Sequence, residues 1–593
     1  MKSIISNVTE VMKERNSVNY EDGRLVKCDP SKEVAKGIWV KKDEIHRVPL
    51  GMQPIFYDEE NILFIPQSHN LIVGTTGVGK STVICDNEID LYSRMDKNAR
   101  PSMLVFDIKG ELTARHAKDL EEKGYKVFTI DARNPFFSAR YNPLATTYDN
   151  YQRVIEIEKL IKEDKITSKY NGVKYASKEE AIEHAIADKY EYLGRVESRI
   201  GELADTLISE ADPKNKNWVE GARSCFKSIA YALLKDSENP KLGMTKEKYN
   251  LANVCRAAFY TDDDYDTIKS WLRRYKNVNI IKGALTSVYD IRAQVTRDGY
   301  VSSLNEELNK LTTYSVEALT AQSDIDILNF IDQNKDFAIF ITLNDRCHQI
   351  EKIAMMLLND VVNGLCDKAD SSERLCLDKD FVVVADEMGN MPKIPNMANK
   401  ISTYRSRKIW LHMFVQSFEQ LEETYGENVA NTIIDNCNNL IFLGCNNRKT
   451  KERFAYEMGK KMGEVTSVNM GGGGIASFNM QTTDVPLIHI SDLDSLALGE
   501  FYVKTNTPDK LKSYIIPYFK RADKPAQTTA KRGKYNNYDP CDNLYSIKDV
   551  VDYEDDYEGE LSLEEWLKQG KPRGDKEETH YETFAAWKRK RGV

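Results

Sequence analysis

The residues Gly74-Thr75-Thr76-Gly77-Val78-Gly79-Lys80-Ser81 have the types and spacing of a phosphate cradle. Its glycines let successive backbone N–H groups turn inward around phosphate oxygens, at the positive end of the helix that follows. Lys80 would reach the β- and γ-phosphates of ATP and Ser81 would ligate Mg²⁺, with Thr82 as a further polar contact. Downstream, the apolar run Phe381–Ala385 ends in Asp386-Glu387, the pattern of a Walker B strand. Asp386 would hold Mg²⁺ through water and Glu387 would polarise the attacking water. Taken alone, an acidic pair after an apolar strand often marks only a turn. Beside a phosphate cradle in the same unit, it favours ATP hydrolysis over nucleotide storage.

A further apolar strand, Ile409–Val415, ends at Gln416-Ser417, on the edge where open α/β sheets bind ligands. Gln416 would sense the γ-phosphate or orient water; capping the next helix is the alternative. Arg405 and Arg407 lie between the acidic pair and this strand. Each reads either as an arginine finger reaching a neighbouring subunit or as a solvated surface charge.

These residues need a scaffold, and the surrounding pattern supplies one. Asn70–Val73 is a β-type run into the glycine loop, and Ser81–Arg94 continues as a helix. Met103–Phe106, a helical stretch over Leu112–Lys123 and the run Lys126–Ile130 follow. Such alternation predicts a parallel sheet covered on both faces. It stops between about Tyr151 and Asp324, where long charged helices read as an inserted all-α domain. It resumes at Phe337–Ile341, so the nucleotide-binding domain is split around the insertion.

The expected organisation is therefore an N-terminal segment over 1–50 without a transmembrane helix, a discontinuous nucleotide-binding domain over 51–150 and 325–520, the all-α domain over 151–324, and a flexible acidic tail over 521–593. Met470–Gly474 reads as a loop tip. Within the insertion, Arg273, Arg274 and Lys276 surround Trp271 and Tyr275. A charged helix face with its apolar side buried is the favoured reading there, over phosphate contact with base stacking. The acidic stretch Asp549–Glu565 and the basic cluster Lys588–Arg591 read either as solvated tail or as a partner-docking tail.

Asp plus Glu number 92 against 83 Lys plus Arg, a net charge of -9, which excludes an indiscriminate polyanion binder. Any nucleic-acid contact must use a local basic surface. The ten cysteines form no Cys-x-x-Cys pair, consistent with a reduced cytoplasmic setting without structural zinc. No window approaches the roughly 18–20 apolar residues of a membrane helix.

Several of these pieces, in this order, resemble the type IV coupling protein family, the ATPases that bring DNA and relaxase substrates to conjugative type IV secretion channels. The resemblance is carried by Val73–Ser81, Val105–Leu112 with Asp107-Ile108-Lys109-Gly110-Glu111, and Arg140-Tyr141-Asn142-Pro143-Leu144. Trp218 with Ala222-Arg223, Val384–Glu387 with Lys393-Ile394-Pro395, Tyr404-Arg405-Ser406, and Val415-Gln416-Ser417 with Gln420-Leu421 and Tyr425-Gly426 continue it across most of residues 60–520.

What the resemblance implies is a RecA-like P-loop ATPase domain carrying an all-α domain, assembled as a homo-hexameric ring around DNA. Lys80, Ser81, Asp386 and Glu387 become the nucleotide and Mg²⁺ residues, Gln416 the motif III glutamine, and Arg405 an arginine finger. The implied partners are single-stranded DNA, with double-stranded DNA as an alternative, the relaxase and accessory relaxosome proteins through the tail, and secretion channel components. Family members typically begin with a membrane-spanning segment, and none is visible here. Recruitment to the cytoplasmic face of the membrane would then need a separate anchor protein. An FtsK- or HerA-like duplex translocase and a nucleotide-dependent substrate receptor with little hydrolysis are the alternatives.

Overall fold

Short runs of β-branched and aromatic residues, flanked by longer amphipathic segments, form parallel strands whose connections are long enough to hold helices. In the computed structural model ten such strands make one sheet. Their order is Arg24–Lys27, Asp509–Tyr514, Glu500–Lys504, Asn439–Gly444, Asn70–Gly74, Ile409–Val415, Phe381–Ala385, Ser102–Phe106, Phe337–Thr342 and Lys126–Asp131. Glu500–Lys504 runs antiparallel to both its neighbours, and the remaining pairings are parallel. The inner strands Asn70–Gly74, Ser102–Phe106, Phe381–Ala385 and Ile409–Val415 are buried along their whole length, which explains their unbroken apolar sequences.

The structure describes residues 24–208, 216–325, 330–331, 335–343, 348–391, 393–394, 396–470, 476–524, 535–536, 538–539 and 543–552, with the backbone alone at 348–349, 462–470 and 476–483. The glycine tip at 471–474, the acidic stretch beyond 552 and the basic cluster at 588–591 lie outside these residues. Two compact units share the chain: residues 1–133, 327–347 and 361–532 form the first, and 134–326, 348–360 and 533–593 the second.

The first unit holds the ten-stranded sheet and a three-stranded antiparallel sheet of Ile38–Lys41, Asn61–Pro66 and Met52–Tyr57. A buried polar brace fixes the start of the glycine-loop strand. Asn70 donates to Gln53 Oε1 (2.6 Å), and Asn439 donates to Asn70 Oδ1 (3.0 Å) and to Ser68 Oγ (2.7 Å). His69 Nδ1 accepts the Leu411 N–H at 3.0 Å. Hydrogen bonds of this kind fix strand register in an otherwise apolar sheet.

Structured residues extend beyond both expected ends of this unit. Arg24–Lys27, inside the segment expected to precede the domain, adds an edge strand beside Asp509–Tyr514. Past 521, Arg521 is buried and donates to Asp90 (2.6 Å) and Asn87 (2.7 Å) on the helix Asp86–Arg94, while Asp523 accepts from Arg94 (2.6 Å).

Helices Ala145–Lys162, Lys178–Leu207, Lys216–Asp236 and Gln294–Asn309 dominate the second unit. It begins ahead of residue 151, because Tyr141 donates to Asp360 (2.7 Å) and Asn142 to the Tyr249 carbonyl (2.8 Å). Asn142 Oδ1 also accepts the Leu144 N–H (3.0 Å), so the Asn-Pro-Leu element is a turn that anchors the chain before the helix at Ala145.

At the C-terminal end, Tyr545, Ile547 and Val550 are buried in this unit. Tyr545 donates to Asp236 (2.8 Å) and the Val550 carbonyl accepts from Arg274 (3.0 Å). Trp271 is fully buried, donates to Asp236 (3.0 Å) and is closed to base stacking; Tyr275 is bound to the same carboxylate, and Arg273 pairs with Asp290. The apolar side of that charged helix therefore faces the core. Among the described residues no helix is long and apolar enough to cross a membrane.

Candidate nucleotide site

The glycine loop leaves the C-terminal end of Asn70–Gly74, a strand flanked on both sides by parallel partners. Thr75 N–H donates to the Gly444 carbonyl of the adjacent strand (2.8 Å), which fixes one side of the loop. Gly77 (φ +90°) and Gly79 (φ +99°) take left-handed conformations that a side chain would strain, and the helix starts directly at Lys80. Thr76 and Gly77 are exposed at the loop tip, Val78 packs beside Gly444, and Thr82 Oγ1 lies 3.5 Å from the Gly79 carbonyl.

Lys80 is buried and folds back on the loop, donating to the Gly74 carbonyl at 2.5 Å. Burial lowers its pKa, against the opposing pull of Asp386 and Glu387. Across the neighbouring strand pair, Ser81 Oγ donates to Asp386 Oδ2 at 3.1 Å. The other carboxylate oxygen, Asp386 Oδ1, is buried without a hydrogen-bond partner. Burial pushes the Asp386 carboxyl up to about 6, with Ser81 pulling it down and Glu387 adding to the rise.

A part-buried hydroxyl, an orphaned carboxylate oxygen and a buried lysine on a glycine loop fit Mg²⁺ and a polyphosphate. The orphaned carboxylate oxygen has a lone pair to give to a cation, beside the partial relief that Lys80 already supplies. Lys80, Ser81 and Asp386 are the residues that would hold that group.

Glu387 follows Asp386 in a left-handed conformation (φ +59°). Lys109 Nζ approaches one of its carboxylate oxygens at 3.5 Å, and Asn390 donates to the other at 3.3 Å. Gln416, one strand over, donates its backbone N–H to Gln420 Oε1 (2.9 Å). The helix-capping alternative raised for this position falls to Ser417, whose hydroxyl accepts the Gln420 N–H (3.3 Å). Lys80, Ser81, Asp386 and Glu387 are thus brought together, with Gln416 at the same sheet edge.

Arg405 is placed elsewhere. It precedes the strand Ile409–Val415, on the side of the sheet where that strand begins, and its charge is felt by buried His69 at the start of the glycine-loop strand. At about 3.3 Å per residue a strand this long separates Arg405 from the glycine loop of its own chain by roughly 15–20 Å. Arg405 is exposed, whereas Arg407 is committed to Asp370 through a forked pair at 2.9 and 3.0 Å.

Sequence reasoning assigned no role to Asp107 in the Asp-x-Lys-Gly-Glu element. It is buried and accepts from Glu111 N–H (3.1 Å), Thr113 N–H (2.7 Å) and Thr113 Oγ1 (2.8 Å), capping the helix Glu111–Glu122. The link from Glu387 through Asn390 to Gln420 was missed, because no short motif joins two separate segments.

Comparison with known proteins agrees with this architecture. The coupling protein TraD of Escherichia coli (strain K12) is 22% identical over 260 residues, covering 44% of this chain. The matched region spans only 33% of that relative's own length. Among solved structures, the unbound monoclinic form of the bacterial conjugative coupling protein TrwBdeltaN70 superposes with a TM-score of 0.54 at 15% identity, covering 86% of this chain and 99% of the other. The plasmid coupling protein TrwB in complex with ADP and Mg²⁺ gives a TM-score of 0.51 at 13% identity, with coverages of 84% and 96%. These likenesses show the fold alone, an α/β sheet unit carrying the glycine loop together with an all-α unit. A family model described as type IV secretory system conjugative DNA transfer matches residues 16–539, and the chain belongs to that family.

Proposed function

We propose that the chain is an ATP-hydrolysing coupling protein that recruits relaxase-bound single-stranded DNA and delivers it to a type IV secretion channel during conjugation. The observation that carries the reading is the Ser81–Asp386 hydrogen bond, with Asp386 Oδ1 left unpartnered beside buried Lys80, in a chain of the conjugative DNA transfer family. TrwB has been solved with ADP and Mg²⁺ and with a non-hydrolysable ATP analogue, which supports the same ligands here.

In this reading the loop N–H groups and Lys80 bind the phosphates, while Ser81 and Asp386 hold the cation. Mg²⁺, when bound, neutralises charge on the transferred phosphoryl group. Glu387 orients a water and accepts its proton, and Gln416 monitors the phosphate end of the site. Arg405, remote from its own glycine loop, serves a neighbour's site in a homo-hexameric ring. Relaxase and accessory proteins dock on the acidic C-terminal tail.

The test is ATP hydrolysis by the purified protein with single-stranded DNA, with duplex DNA and without either, comparing wild type and Lys80→Ala. The expected result is turnover that rises with single-stranded DNA and is abolished in the variant. Preferential stimulation by duplex would instead favour an FtsK- or HerA-like translocase. Activity independent of both DNA and Lys80 would sink the motor reading.

A further inference from the structure

Two elements of the sequence, Lys109-Gly110 and Gln420, have no direct part in holding nucleotide, yet both converge on Glu387. The left-handed conformation of Glu387 carries strain for a residue with a side chain, and such strain persists only where neighbours hold it. Lys109 Nζ stands 3.5 Å from Glu387 Oε1, and Asn390 Nδ2 donates to Oε2 at 3.3 Å, so both carboxylate oxygens are engaged. Asn390 Oδ1 in turn accepts from Gln420 Nε2 (3.2 Å), and Gln420 Oε1 accepts the Gln416 N–H (2.9 Å). The relay therefore runs between the ends of three adjacent strands: Ser102–Phe106, Phe381–Ala385 and Ile409–Val415.

Both ends of the relay are built in. Arg133 Nη1 donates to the Lys109 carbonyl at 2.6 Å, and a Cβ at Gly110 would stand 1.9 Å from Arg133 Nη2. The guanidinium lies against Gly110 and holds the backbone of Lys109. At the other end a Cβ at Gly389 would stand 2.0 Å from Gln420 Cδ, so glycine there lets the Gln420 amide rest on the loop that carries Glu387 and Asn390.

We propose that Lys109 and Gln420 are positioning residues for Glu387, holding its carboxylate at the sheet edge from opposite sides. The proposal rests on the reading of Glu387 as the group that activates water, and it extends that reading to regulation. Because Gln420 lies on the helix that begins beside Gln416, displacement of this helix is transmitted to Glu387 through Asn390.

The test uses Lys109→Ala, Lys109→Arg and Gln420→Ala in the full chain. Steady-state hydrolysis should lose about tenfold or more in kcat in both alanine variants, as expected for a misplaced reacting group. KM, and the Kd of a fluorescent ATP analogue with Mg²⁺, should move less than about twofold, which a uniform binding role would not allow. Lys109→Arg should recover most of the turnover. Adding Lys109→Ala to Glu387→Gln should cost nothing further, since both act through one carboxylate.

A readout independent of turnover is hydrogen–deuterium exchange of the nucleotide-free protein. The amides of Asn390 and Met391, which donate to the carbonyls of Glu387 (2.8 Å) and Met388 (3.1 Å), should exchange faster in both alanine variants. Unchanged kcat with unchanged exchange overturns the proposal, as does analogue affinity falling by the same factor as kcat/KM. If wild type hydrolyses no ATP and exchange still rises in the variants, the positioning stands while the catalytic reading of Glu387 falls.

Discussion

At the scale of single residues, the loop proposed to bind phosphate stands out because its signal is local. A loop that wraps a polyanion needs glycines, a lysine and a hydroxyl at fixed offsets, and Gly74–Ser81 has them. The surroundings of Glu387 were not legible, because Lys109 reaches it from a distant segment and Gln420 acts on it only through Asn390. Nor was the brace beneath the loop, where His69 is buried at the start of the strand. Burial, followed by the nearby charges of His412 and Arg405, pushes His69 down to about 3 from 6.5. The sign of the consequence is fixed: below pH 6.5 the unfolded chain takes up a proton that the folded chain refuses until about pH 3, so folding stability is lost as pH falls through that window. At roughly 1.4 kcal/mol per unit, the loss between pH 6.5 and 5 is about 2 kcal/mol. Denaturant midpoints measured at pH 7, 6 and 5 should therefore fall more steeply for wild type than for His69→Asn. Parallel slopes would mean that His69 is protonated at no cost.

At the scale of elements, the inner strands were read correctly because burial on both faces leaves an unbroken apolar run, as in Phe381–Ala385. Strands such as Arg24–Lys27 and Asp509–Tyr514 were not foreseen, since an outer strand keeps charged residues on its open face and its sequence looks like loop. The helical insertion was visible from its charge pattern, but the reason for Trp218 and Ala222-Arg223 within it was not. Helices Lys216–Asp236 and Gln294–Asn309 pack through two reciprocal contacts, with Tyr300 lying against Gly221 and Trp218 against Gly299. The two rings are 5.3 Å apart. A Cβ at Gly221 would stand 2.2 Å from Tyr300 Cδ1 and 2.4 Å from Cγ, the root of the ring, so the ring cannot simply swing its tip away. Alanine normally stabilises a helix relative to glycine by about 1 kcal/mol. Here the clash should win, and Gly221→Ala should destabilise the helical unit by about 1–3 kcal/mol. Thermal melts followed by circular dichroism check this, and a raised midpoint would show that the helices slide apart freely.

At the scale of the whole molecule, the position of Arg405 bears on how many chains make one active site. It lies where the strand Ile409–Val415 begins, while Lys80 and Asp386 lie where their strands end or just beyond, so within one chain the guanidinium and the glycine loop are on opposite edges of the sheet. An exposed arginine so placed has no route to its own nucleotide site, yet it is free to enter that of a neighbour packed edge to edge. A shared site ties hydrolysis to the geometry of adjacent subunits, which is how a ring fires in order rather than at random. The arrangement can be tested by mixing. In the proposed ring, Arg405→Ala keeps the proposed Walker site and Glu387→Gln keeps the proposed finger, so each alone should lose turnover by about 10²-fold or more. Combined in equal amounts, they form interfaces in which a sound Walker site meets a sound finger, and a measurable part of the wild-type rate should return. That recovery should grow with total protein concentration, because it requires association. A mixture no more active than its parts, at concentrations where wild type turns over, would return Arg405 to the solvated surface.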